Sequence, residues 1–101
     1  MDEISFRNWL HAQGVKKKVS SDIVSRLKRI EREIKDCDLD EYYLLDRCST
    51  LMNLFAKMGQ NEVMKKYPNT TFPIGSYTMN SFRHALKKYM QFKEATIVIK
   101  H

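Results

Sequence analysis

Apolar residues recur at three- and four-residue spacing in two long segments, and this periodicity limits the possible folds more than any other feature of the chain. The apolar positions of these segments are Ile23, Val24, Leu27, Ile30 and Ile34, and then Met79, Phe82, Ala85, Leu86, Tyr89 and Met90. The first set falls within an arc of roughly 120° on a helical wheel. We therefore predict two amphipathic helices, one capped by Ser20 or Ser21 and one running from about Thr78 to Lys93.

The remaining segments also favour helices. The stretch EISFRNWLHAQ predicts a first helix that ends before Gly14, and Tyr43 to Met58 carry an apolar stripe that predicts one long helix ending at Gly59. Gly and Pro together number only five, which disfavours a turn-rich β fold. The sequence predicts an all-α, single-domain bundle of four to five helices over residues 1–93. Residues 94–101, with the β-branched run TIVIK, are expected to form an extended tail or the start of a linker.

Charge is segregated along the chain, whose formal net charge is +6. Residues 1–35 hold nine basic and five acidic residues, residues 36–62 hold two and six, and residues 63–101 hold seven and one. Both ends are thus basic and the middle is acidic. If the ends pack together, the molecule has one positive and one negative side.

Several functional classes find little support in the sequence. No apolar run approaches the ~18 residues of a membrane span, and the acidic start is unlike a signal peptide, so a cytoplasmic location is expected. Cys37 and Cys48 are expected to be reduced thiols, exposed and buried respectively. The DxDxD run at Asp36 lacks the glycine and distal glutamate of a calcium loop. No metal, cofactor or catalytic group is predicted, so the chain is not expected to be an enzyme.

The polar faces of the two long helices carry the strongest functional signal. Lysine and arginine on a solvent-facing helix surface bind phosphates by charge and displace counterions, with little sequence preference. Helix N-termini also attract phosphate through free backbone amides. An ordinary solvated surface is the alternative. The predicted contacts with duplex DNA are Arg83, His84, Lys87 and Lys88 in the last helix, and Lys16, Lys17, Lys18, Ser20, Arg26 and Arg29 in and before the second helix.

Two stretches also resemble a known family. VSSDIVSRLKRI and YTMNSFRHALKKYMQF are similar to the first and last helices of the SAM-like core-binding domain that precedes the catalytic domain in tyrosine recombinases and phage integrases. Related helical modules precede nuclease domains in some restriction-type proteins. The resemblance covers about residues 4 to 93. It implies a module that wraps duplex DNA in a mobile-element or restriction-type system, without the recombinase's catalytic Arg, His and Tyr set.

A protein-interaction role is the second hypothesis. The acidic middle, from Asp36 to Asp46, can dock a basic partner, and the apolar tail can add a strand to another chain. An adaptor or phage-type regulator of this kind would bind its partner at moderate salt and ignore DNA. Binding through phosphates would instead weaken steeply with salt.

Overall fold

The computed structural model describes residues 1–34 and 36–99, which form five α-helices and two short 3₁₀ turns and contain no strand. The elements are α1 (Glu3–Ala12), α2 (Lys17–Glu33), α3 (Leu39–Asp46), α4 (Ser49–Leu54), the 3₁₀ turns η1 (Ala56–Gly59) and η2 (Met64–Lys66), and α5 (Met79–Ile99). The predicted all-α class is therefore confirmed.

Helix α5 lies at the centre of the packing. It contacts α1, α2, α4 and η1, and its predicted stripe from Met79 to Tyr89 is buried. The ring of Phe6 in α1 packs against Tyr89 at 5.0 Å and against Phe92 at 5.4 Å between centroids. Because the apolar stripe faces these neighbours, the opposite side of α5 is held toward solvent.

A second aromatic group fixes the loop before α5. Phe72 in this loop meets Phe55 and Phe82 edge-to-face, each at 5.2 Å, and Phe55 stacks on Phe82 at 5.5 Å. The Arg29 guanidinium lies 5.4 Å from the ring centroids of both Phe72 and Phe82. Its Nη2 donates to the Thr71 carbonyl at 2.8 Å. The loop is thereby tied to α2 over the start of α5.

A polar cluster fastens the other end of the bundle. The Tyr89 hydroxyl donates to Asp40 Oδ1, and Lys93 Nζ lies 3.2 Å from the same oxygen. The Met1 amino group lies 3.0 Å from Glu31 Oε2 and 3.6 Å from Asp40 Oδ2. Desolvation would raise the pKa of Asp40, but the hydrogen bonds from Tyr89 and Lys93 and the Met1 charge outweigh it, so the pKa is lowered.

This lowered pKa predicts how stability depends on acid. Because the folded-state pKa of Asp40 lies below its ordinary value of 3.8, the stabilisation is complete above that value and is lost as pH falls through the folded pKa. We expect urea midpoints to fall as the pH drops below about 4, and to fall less for Asp40→Asn. If the curves of urea midpoint against pH run parallel for the unaltered chain and for Asp40→Asn, this carboxylate has no role in acid unfolding.

Helix α2 begins earlier than predicted. Lys16 is its N-cap residue and Lys17 its first helical residue, so the lysine run lies at the helix start and neither Ser20 nor Ser21 is the cap. Gly14, at φ +84°, turns the chain immediately after α1. Because this connection is short, α2 starts within the lysine run. Ser20 therefore lies inside the helix.

The predicted long helix from Tyr43 to Met58 is broken. Arg47 and Cys48 both adopt left-handed backbone conformations, at φ 56° and 63°, and separate α3 from α4. The break lets Leu39 and Tyr43 of α3 and then Leu51 of α4 all reach the core. Leu44, which belongs to the predicted apolar stripe, is instead 82 % exposed.

The chain beyond residue 93 also differs from the expectation. Helix α5 continues through Ile99, so residues 94–99 are helical rather than an extended tail. Thr96 supports this continuation because its hydroxyl donates to the Phe92 carbonyl at 2.9 Å. Residues 100 and 101 lie outside the described residues.

Candidate nucleic-acid interface

The predicted basic face of α5 comprises Arg83, His84, Lys87 and Lys88. Arg83, His84 and Lys87 are exposed and Lys88 is half-buried. They project from two successive turns of the helix. The residues between them, Ala85 and Leu86, face the core and are fully buried. The sequence periodicity thus placed this face correctly.

Three members of the basic face line one shallow groove. Arg83, His84 and Lys87 border a space of about 500 Å³, together with Asn80, Met52 and Met90. Met52 comes from α4, so the groove lies where α4 meets α5. The two methionines give it an apolar part beneath a cationic rim. Sequence reasoning missed this groove, because it assigned both methionines to core stripes, whereas each is only partly buried.

The cations of this face have no acidic partner in the part of the chain that the structure describes. Within residues 1–34 and 36–99, no carboxylate lies within 4.0 Å of Arg83, Lys87 or Lys88. Other basic residues do form ion pairs, such as Lys28 with Glu3 at 2.6 Å and Lys93 with Asp40. The face is therefore a concentration of uncompensated positive charge, which attracts anions.

The lysine run forms a second cationic group at the start of α2. Lys16, Lys17 and Lys18 are exposed, and no side chain caps the helix. Three positive charges at the positive end of a helix dipole repel one another and the dipole. A bound anion would relieve that repulsion.

Two residues of α2 that were predicted to contact DNA are instead buried or engaged in other contacts. Ser20 is completely buried and its hydroxyl has no hydrogen-bond partner among the described residues, so its assignment as a DNA contact is wrong. Arg29 forms an ion pair with Glu33 at 2.6 Å and stacks over two phenylalanine rings, so its guanidinium holds the fold together. Arg26 is half-buried on the same helix.

The two cationic groups lie on different helices. The C-terminal half of α2 packs on the start of α5 through Arg29 and Phe82, whereas Ser21, nearer the N-terminus of α2, accepts a hydrogen bond from Arg7 of α1. Lys16 to Lys18 therefore lie at the opposite end of α2 from the contact between Arg29 and Phe82.

The thiols offer no reactive group at this surface. Burial raises the pKa of Cys37 and of Cys48 to about 12, so both thiols are neutral at pH 7. Cys37 was predicted to be exposed but is half-buried against the core.

Among the described residues, no three His, Cys, Asp or Glu side chains are placed to hold a metal ion, and no helix is long and apolar enough to cross a bilayer.

Comparisons with known proteins assign no family to this chain, so its function is inferred from the geometry of the site. No protein-family model matches the chain. Searches of curated protein sequences and of solved structures give no significant match.

Proposed function

We propose that this chain is a non-catalytic module that binds duplex DNA through the phosphate backbone. The observation that carries the proposal is the basic face of α5, where exposed cations from two successive turns have no acidic partner among the described residues. Cations of this kind bind phosphates by releasing condensed counterions. Arg83 adds a planar fork of donors that suits phosphate oxygens.

The lysine run provides a second contact in this proposal. Lys16 to Lys18 stand at an uncapped helix start, where backbone amides and charge both favour a phosphate. Contacts from two helices would fix the orientation of a duplex without reading its sequence. Arg26 is half-buried on α2, and Ser20 and Arg29 are no longer included. The resemblance to the integrase core-binding domain supports the same role in a mobile-element or restriction-type system.

Salt dependence tests the proposal directly. We expect a labelled duplex to bind at ~50 mM salt and to lose affinity by ~200 mM, by roughly 40-fold if three phosphates are neutralised and by roughly 2,000-fold if six are. The slope therefore tells whether the α5 face acts alone or together with Lys16 to Lys18. Absence of binding at the lower salt, or binding that ignores salt, would refute the proposal.

A further inference from the structure

The outer face of α3 carries two leucines that the fold does not shelter. Leu44 is 82 % exposed and Leu45 is 79 % exposed, although leucine is among the residue types most often buried. Glu41 lies one turn earlier on the same side of the helix and is also exposed. We call Glu41, Leu44 and Leu45 the acidic leucine face.

The groove between α4 and α5 has the complementary composition. Its apolar part is formed by Met52 and Met90, and its rim carries Arg83, His84 and Lys87. Methionine side chains adapt to apolar partners of different shape. In the described part of the chain, no residue of α3 is among those that line this groove.

We propose that the acidic leucine face of one copy docks into this groove on a second copy. Leu44 and Leu45 would cover Met52 and Met90, while Glu41 would meet the cations of the rim. Charge complementarity selects this occupant, because the exposed Glu41 carries a charge opposite to that of Arg83 and Lys87 in the groove. The association does not require DNA, but it would compete with DNA because both use Arg83 and Lys87.

The proposed pair is head-to-tail, that is heterologous, with one acidic leucine face in one groove. Each docked pair leaves one groove and one acidic leucine face open, so further copies can add to a ring or an open chain. The α3 helix has only eight residues, so the buried area is below that of a standard interface. We therefore expect weak association, with a dissociation constant between about 10 µM and about 1 mM.

Sedimentation over that concentration range tests the contact. We expect the average mass of the unaltered chain to rise with concentration at low salt, and Leu44→Glu and Lys87→Glu each to remain monomeric. Tyr77→Glu is the matched control, since Tyr77 is also 82 % exposed but lies outside both surfaces, and it should associate like the unaltered chain. A monomer at every concentration would overturn the inference, as would association that survives Leu44→Glu.

Mixing the two monomeric variants is the sharper experiment. Lys87→Glu keeps the acidic leucine face and Leu44→Glu keeps the groove, so together they can form a single contact. We expect the mixture to form a heterodimer. A mixture that stays monomeric, although the unaltered chain associates, would overturn the pairing of these two surfaces. Leu44→Glu should retain DNA binding, which separates failure of this inference from failure of the proposed function.

Discussion

Phe82→Ala is expected to lower the free energy of unfolding by about 3–5 kcal/mol, because it leaves a cavity in the aromatic group under the start of α5. Phe82 is 2 % exposed and contacts the rings of Phe55 and Phe72. It also supports the Arg29 guanidinium, which holds the preceding loop. Urea unfolding followed by circular dichroism measures the loss.

The neighbouring exposed residue provides the control for this change. His84→Ala lies on the same helix but removes no core contact, so its effect should stay within about 0.5 kcal/mol. Equal losses for the two variants would show that Phe82 does not pack as described. A large loss for Phe82→Ala alone would establish that the core side of α5 holds its basic face in position.

The largest functional effect is expected from reversing two charges on that basic face. Arg83→Glu combined with Lys87→Glu removes two phosphate contacts and adds repulsion, so affinity for duplex DNA at ~50 mM salt should fall by at least about 100-fold. The slope of log affinity against log salt should also decrease by about two. Both residues are exposed, so thermal unfolding should change little.

A matched variant separates local contact from net charge. Lys65→Glu with Lys66→Glu makes the same change in net charge on the exposed turn η2, away from α5 in the sequence. We expect it to weaken DNA binding through long-range charge alone, and to leave the salt slope nearly unchanged. Equal loss in both double variants would mean that binding follows overall charge rather than this face.

Local periodicity explains which parts of the fold were predictable. The buried and exposed sides of α5 follow from the 3.6-residue repeat, so its basic face could be read without a structure. The same reasoning failed at Arg47 and Cys48, because an apolar stripe does not reveal a left-handed break that redirects α4 toward α5. It also failed at residues 94–99, where β-branched residues continue the helix.

The sequence by itself therefore determined the helical class, the buried stripe of the last helix and the direction in which its cations point. Only the tertiary structure decided which cations are available and what surrounds them. Arg29 is occupied because it meets Thr71, 42 residues away, and the groove exists because Met52 of α4 lies beside α5. The physical reason is that periodicity depends on backbone geometry within a few residues. The partners of a charged side chain, and its burial, depend instead on how separate helices pack.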